Sequence, residues 1–459
     1  LCSDEAAYIT GQNIIVEGGA SLQGPESIAR RLLPPKKAKA SVAGSDNLAA
    51  IPNNQAFPYC RLCRREAKHF IMRLACTPIG DAYLYEKKEL PRYPLDLYLC
   101  GECGLLQIPH LIDPGLIYRD YIYHTADSLG LVEHFRKYVA SILARINLPV
   151  NSFVVEVGSN DGSALACFKK AGMRVLGIDP AREIAEKATA NDLTTLPEFF
   201  SSSLARRLAA EQGKASLIMA NNVLANIDDL TDVIAGIKVL LAPEGVLVFE
   251  TGYALDLIQK RIFDNIYHEH LSYFSVKPLQ QFFRRQGLQL IHVERAITKG
   301  GSIRCTVQSA TGTRHEDSSV AELMALENVA GIHAVNTLQQ FALSIEELKK
   351  QLTALLKNFK AQGKRIAGYG AAVGCTTVLY ALGLEEFIEF LLDDNTNRQN
   401  RYAPGLPIPV RSPGDIYHAD YTLILAWQYA EPIMKKHPQY LEQGGKFIQF
   451  LPTLTVIGK

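Results

Sequence analysis

From position 153 onward, short apolar runs alternate with amphipathic stretches. The runs at 154–157, 175–178, 216–220 and 245–250 are rich in Val, Leu and Ile, as strands buried on both faces require. Between them, 181–190, 203–212 and 230–241 place apolar residues at helical spacing. Strand and helix in alternation predict a parallel, doubly wound sheet. A helix over 128–148 leads in, and a long helical region over 319–360 follows. A second α/β pattern closes the chain: strand, glycine turn and helix from Arg365 to Gly374, then strands at 390–394, 421–426 and 446–450.

The chain has 459 residues, too many for one hydrophobic core, and two to four domains are expected. Its 48 basic and 47 acidic residues leave a net charge of +1, so no overall field draws it to nucleic acid or an anionic membrane. No apolar run of about 18 residues occurs and the start lacks a signal-peptide pattern, so a soluble, cytoplasmic protein is expected. Nine cysteines, an odd number and mostly scattered, argue against a disulfide framework. The chain opens on Leu1 and not Met, so it is expected to be a piece of a longer one. Residues 34–54, rich in Pro, Lys, Ala, Ser, Gly and Asn, have the composition of a linker.

The first α/β unit names a cofactor. Glu156-Val-Gly-Ser-Asn-Asp-Gly162 is a strand end followed by a glycine turn, with Gly158 and Gly162 letting the backbone turn sharply and Asn160 expected among the cofactor-binding residues. Asp179, followed by Pro180, ends the next strand roughly 20 residues on, where an acid accepts from ribose hydroxyls. A pyrophosphate-binding turn avoids acid, because helix amides must meet the phosphates. Glu156 and Asp161 put acid into and beside this turn, which suits a cation and favours S-adenosylmethionine over NAD. Asn221 and Asn222 end the strand at 216–220 and are expected to line the same crevice. Phe200 offers a ring to adenine, although the core is the commoner place for such a residue.

Cys60-Arg-Leu-Cys63 and Cys100-Gly-Glu-Cys103 are two C-x-x-C knuckles, whose tight turns aim four thiolates at one structural zinc. The 36 residues between them leave room for hairpins near Ala82-Tyr-Leu-Tyr85 and Leu95-Asp-Leu-Tyr-Leu99, and Gly101 and Gly104 stand where knuckles need a relaxed backbone. With four protein ligands, no position remains open for substrate. Asn265-Ile-Tyr267-His268-Glu269-His270 lies just past the strand at 245–250, over the cofactor crevice. An imidazole with a pKa of about 6.5 suits a general base, and a neighbouring tyrosine can donate to an oxyanion. H-x-H also suggests a metal site, but no third ligand stands at a sensible spacing; a structural cluster is the remaining alternative. In the C-terminal unit, Gly368-Tyr-Gly370-Ala-Ala-Val-Gly374 reads either as a structural turn or as a nucleotide site. Arg398, Arg401 and Tyr402, after Asp393-Asp394, favour a phosphate-bearing ligand there.

Taken together, the paired knuckles, the 156–162 turn, Ile266-Tyr-His-Glu-His-Leu-Ser-Tyr273, Lys299-Gly-Gly-Ser-Ile-Arg304, Gly368-Tyr-Gly-Ala-Ala372 and Asp393-Asp394-Asn395 resemble one family. It is that of the zinc-containing, S-adenosylmethionine-dependent sugar C-methyltransferases, and the similarity runs from Phe57 to the C-terminus. Separately, Ser3 to Gly19 resembles the C-terminal end of a short-chain dehydrogenase/reductase. The resemblances imply a reductase remnant at 1–33, a zinc-binding domain at 55–115, a class I methyltransferase domain at 116–300 and a second Rossmann-like, nucleotide-binding domain at 301–459. They also imply a monomer fused upstream to a reductase, with a dTDP- or GDP-linked sugar as its partner.

By resemblance, His270 is the base, Tyr267 and Glu269 orient it or contact the sugar, and Tyr123 is a further active-site tyrosine. The implied reaction removes the C3 proton of a 4-keto-6-deoxysugar and methylates the resulting enolate. Two departures stand out. Val373-Gly374-Cys375 replaces an Ala-Lys-Gly that relatives often carry, and Asn226 stands where histidine is expected. Alternatives are an O- or N-methyltransferase acting on another small metabolite, or a zinc module without enzymatic activity; near-zero net charge weighs against the latter.

Overall fold

A computed structural model of the chain describes residues 59–114, 117 and 131–458. The dehydrogenase-like segment, the 34–54 linker and Tyr123 lie outside the described residues. The zinc unit supplies β1 (His69–Thr77), β2 (Tyr93–Leu99) and β3 (Leu106–Gln107), which pair antiparallel in that order. The hairpin expected at 82–85 is absent, and only Leu84 makes a lone bridge there, to Tyr402.

The central sheet begins with β4 (Phe153–Val157), β5 (Arg174–Ile178), β6 (Thr195–Leu196), β7 (Ala215–Met219) and β8 (Leu241–Gly252). All are parallel, with β4 in the middle and wholly buried. Helices follow the expected periodicity at Leu131–Ile146, Ser163–Lys170, Arg182–Ala190, Ser202–Gln212 and Leu230–Leu240. Ser201 caps the fourth by accepting from the Leu204 N–H at 3.2 Å.

Next comes β9 (Ser272–Tyr273), which leaves the central sheet and joins the zinc unit, pairing antiparallel with β3. After it, β10 (Leu288–Ala296) and β11 (Ser302–Ser309) return, and β11 lies antiparallel between β8 and β10. The seven-strand order is therefore β10-β11-β8-β7-β4-β5-β6. The expected domain boundary at 300/301 falls in the turn between β10 and β11, two strands that pair in this sheet. Lys299-Gly-Gly301 is the tight turn between these paired strands, with Ala296 opposite Ser302.

The long helical region is two helices, Ser318–Ala330 and Val335–Ala361. A third sheet then forms from β12 (Ile366–Tyr369), β13 (Phe390–Leu392), β14 (Val410–Arg411), β15 (Tyr421–Ile424), β16 (Lys446–Gln449) and β17 (Thr455–Ile457). Its order is β14-β13-β12-β15-β16-β17, parallel except for β17. Among the described residues, no helix is long and apolar enough to cross a membrane. The fold is α/β, with a class I methyltransferase sheet between a four-cysteine zinc unit and a further α/β domain.

Candidate active site

The turn after β4 takes positive φ at Gly158, Asn160 and Gly162, 75°, 48° and 79°. Asp179 braces it: one carboxylate oxygen accepts from the Asn160 N–H at 2.6 Å, the other from the Ala181 N–H at 2.9 Å. Asp179 is fully enclosed, so a ribose contact rests on lone pairs left over from these bonds. Glu156 accepts from Asn221 Nδ2 at 3.3 Å through one oxygen, while its other oxygen is buried without a partner among the described residues. Burial pushes Glu156 up to about 8 and Asp179 up to about 7. Asp161 is half-buried and accepts from the N–H and hydroxyl of Ser163, at the start of the helix Ser163–Lys170. Buried acids with an orphaned oxygen fit the cationic cofactor expected from the sequence. Pro180 is half-buried beside them, and Asn222 lines the adjoining cleft. Phe200 belongs to the core: it is fully buried, and a Cβ on Gly236 would lie 3.0 Å from its ring, so no face is left for adenine.

The sulfurs of Cys60, Cys63, Cys100 and Cys103 all lie within 4.8 Å of one another. A tetrahedral shell with bonds of about 2.3 Å separates sulfurs by just under 4 Å, so the cluster fits zinc. The relaxed backbone is at Arg64 and Gly104, φ 58° and 84°, each directly after its knuckle; Gly101 does not share it. Arg61, between two of the ligands, is buried and donates to the carbonyls of Ile108 and Leu271, 2.7 and 3.2 Å, and to Asp228 at 3.0 Å.

The two histidines of the H-x-H run diverge. His268 turns to the zinc unit, its Nε2 3.2 Å from the Tyr93 carbonyl. His270 sits with Nδ1 3.0 Å from the Asn265 carbonyl and Nε2 3.1 Å from the Tyr267 hydroxyl. A carbonyl only accepts, so Nδ1 carries the proton and Nε2 presents its lone pair. Glu269 is buried. Among the described residues, the only cluster able to hold a metal is the set of four cysteines, and the H-x-H metal alternative is not realised. His270 lines a cleft of about 490 Å³, open to solvent, with Asn222, Thr251, Tyr253, Tyr273 and Lys299. Burial, then the charge of Lys299, pushes His270 down to about 3, which keeps the ring neutral at pH 7.

The C-terminal glycine turn is filled by the protein itself. A Cβ on Gly374 would meet the Asp264 carbonyl at 2.7 Å, and Thr376 donates to the Gly80 carbonyl at 2.7 Å. Arg398 pairs with Asp81 at 3.2 Å, Arg401 donates to the Tyr83 carbonyl at 3.3 Å and stacks on Tyr85, and Tyr402 exchanges backbone bonds with Leu84. Residues 81–85 of the zinc unit thus engage Arg398, Arg401 and Tyr402, the residues from which a phosphate-bearing ligand is expected, while Arg398 Nη1 and Arg401 Nε have no hydrogen-bond partner among the described residues.

Sequence reasoning passed over Tyr138 and Arg304. Tyr138 donates to Asn221 Oδ1 at 2.7 Å, and Arg304 lies 3.7 Å over the Tyr138 ring while binding Glu250 at 2.7 Å. Tyr138 thereby holds the Asn221 amide that donates to Glu156. Only the end of the Lys-Gly-Gly-Ser-Ile-Arg motif hinted at this.

Comparison with known proteins matches three family models in chain order. Residues 60–118 match a zinc binding domain, 120–293 a methyltransferase domain, and 297–452 a C-methyltransferase C-terminal domain. The chain is 34% identical over 404 residues to the C-methyltransferase NovU of Streptomyces niveus, covering 87% of this chain and 96% of that protein. Among solved structures, magnesium protoporphyrin IX methyltransferase of Synechocystis PCC 6803 is 17% identical with a TM-score of 0.32, over 39% of this chain and 84% of that one. The CcbJ methyltransferase of Streptomyces caelestis is 14% identical with a TM-score of 0.31, over 38% and 89%.

Proposed function

The chain belongs to the C-methyltransferases, S-adenosylmethionine-dependent enzymes with a zinc-binding unit, and on that premise we propose that it methylates C3 of a nucleotide-linked 4-keto-6-deoxysugar. The observation that carries this reading is the His270 imidazole, its Nδ1 tied to the Asn265 carbonyl, its Nε2 lone pair met by the Tyr267 hydroxyl, and the ring lining a cleft with Asn222 and Lys299. Membership of a C-methylating family disposes of the O- or N-methyltransferase alternative and of the module without activity.

The cofactor supplies an electrophilic methyl; the protein must make a carbon nucleophile. Carbon beside a ketone becomes acidic because the carbonyl oxygen takes the charge. In this reading Nε2 of His270 removes the C3 proton. Tyr267 moves its donated hydrogen bond from Nε2 to the substrate oxygen, and Tyr123 is a second hydroxyl for that oxygen. Imidazolium and enolate form together, and their mutual attraction offsets the cost of charging a ring that its surroundings hold neutral. Glu269 remains a candidate for orienting the sugar. Glu156, Asn221, Asn222 and the turn from Gly158 to Gly162, with Asp161, Asp179 and Pro180, are the residues proposed to hold the cofactor.

The test is His270→Asn and Tyr267→Phe with a dTDP- or GDP-linked 4-keto-6-deoxyhexose. The first is expected to lower methylation by about 10²–10⁴ and the second by about 10². S-adenosylhomocysteine affinity should stay unchanged in both. Turnover of His270→Asn within a few-fold of the parent would remove the base from the scheme.

A further inference from the structure

The scheme above leaves one charge unused. The Lys299 ammonium is 4% exposed and has no hydrogen-bond or ion-pair partner among the described residues. A buried charge without a partner is costly, and proteins retain one where a ligand supplies the missing contact. The backbone at Lys299 is left-handed, φ 54° and ψ 31°, a conformation that persists for lysine only when its surroundings hold it.

Here they do. Asn265 Nδ2 donates to the Lys299 carbonyl at 3.0 Å, Lys260 to the Gly300 carbonyl at 2.7 Å, and the Tyr253 N–H to the Gly301 carbonyl at 3.0 Å. Gly301 has no room for a side chain, since a Cβ would lie 2.3 Å from Asp256. Asn265 is also the residue whose carbonyl accepts from His270 Nδ1. One asparagine thus fixes both the imidazole and the lysine, and both line the same cleft.

We propose that Lys299 is a catalytic residue whose ammonium binds the ketone oxygen of the substrate and holds the negative charge of the enolate. The assignment rests on the enolate reading above. The C–H electron pair becomes the second C3–C4 bond, the carbonyl π pair moves to oxygen, and the proton goes to Nε2 of His270. Lys299 keeps its own proton throughout, and no oxidant or reductant is involved. Burial pulls Lys299 down to about 8, against the opposing charges of Glu250 and Glu269, so the ammonium form still dominates at pH 7.

The experiment uses Lys299→Met and Lys299→Ala in the full chain. Deuterium entry at C3 of a dTDP- or GDP-linked 4-keto-6-deoxyhexose is followed with S-adenosylhomocysteine bound and no methyl donor present. Exchange should fall by about 10² or more in both variants, and added methylammonium should restore part of it in Lys299→Ala. S-adenosylhomocysteine affinity should hold within about threefold of wild type. Lys299→Met should melt at a higher temperature than wild type, because an unpaired buried charge is gone. Exchange near the wild-type rate, a lower melting temperature, or a sugar adduct trapped on Lys299 by borohydride would each overturn the assignment. The two readings fail separately: a wild-type enzyme that neither exchanges nor methylates such sugars removes the enolate scheme. Exchange by wild type and variants alike removes only Lys299.

Discussion

Arg61 donates to the carbonyl of Leu271, the residue after His270, at 3.2 Å. Its guanidinium also reaches the Ile108 carbonyl, and its own N–H donates to Gln107 Oε1 at 3.1 Å. Since β3 pairs with β9, the zinc unit forms the back wall of the segment that carries the proposed base. The four-cysteine cluster is thereby joined to the segment of the proposed base through one buried arginine and one short strand pair.

It follows that stripping the zinc should silence the enzyme without first emptying the cofactor crevice. Four thiolates left without an ion repel one another and release the knuckle that aims Arg61. With a chelator, methylation should fall with zinc content, while S-adenosylhomocysteine binding, followed by calorimetry, declines later. Arg61→Met takes the donor from the Ile108 carbonyl and one of two donors from the Leu271 carbonyl, which keeps the Ile108 N–H, and should cost about 1–3 kcal/mol of stability. Full activity in zinc-free protein would show that the base does not depend on this wall.

What sequence revealed and what it hid divide along a physical line. Local periodicity and tight-turn chemistry announced β4, β5, β7 and β8, the glycine turn and the paired cysteine knuckles, because neighbours in sequence settle those features. Pairing between distant segments left no such trace. The join of Ser272 and Tyr273 to β3, the return of Ser302–Ser309 into the central sheet, and the capture of Arg398 by Asp81 are all long-range. Arg398 and Arg401 looked like phosphate ligands because an arginine's partner, carboxylate or phosphate, is not written beside it. Lys299 was visible as part of a motif, but its burial was not.

The filled C-terminal turn gives a stability test. Gly374 lies in the first turn of the helix Val373–Leu382, where alanine is normally favoured by about 1 kcal/mol. Here a Cβ would meet the Asp264 carbonyl oxygen at 2.7 Å, and backbone cannot step aside as a side chain does. Gly374→Ala should therefore destabilise by about 1–3 kcal/mol despite its better propensity. Denaturant melts would measure it, with Gly252→Ala, whose Cβ meets nothing within 4 Å, as the comparison. A stabilised Gly374→Ala would mean that the turn is open, as a nucleotide site needs.

Three acids, two in the cofactor crevice and Asp264 beside the C-terminal glycine turn, set a pH dependence of known sign. Glu156 at about 8, Asp179 at about 7 and Asp264 at about 7 hold protons in the folded chain that the unfolded chain has already released near pH 4. Their contribution to stability is complete below that pH and is lost as pH rises through 7 to 8. Three histidines act oppositely: His270 at about 3, with His268 and His333 at about 4, favour the fold above pH 6.5 and withdraw that support as pH falls through 4. Between pH 6.5 and 8 the acids withdraw about 3 kcal/mol, while Lys299 at about 8 and the last proton release from the unfolded chain's histidines return part of it, so the free protein should lose about 2 kcal/mol of unfolding free energy across that window. Ionised Glu156 also favours a sulfonium over a neutral thioether. The preference for S-adenosylmethionine over S-adenosylhomocysteine, measured by calorimetry, should thus rise about tenfold between pH 6 and 9. A preference that stays flat with pH would place the sulfonium away from Glu156 and Asp179.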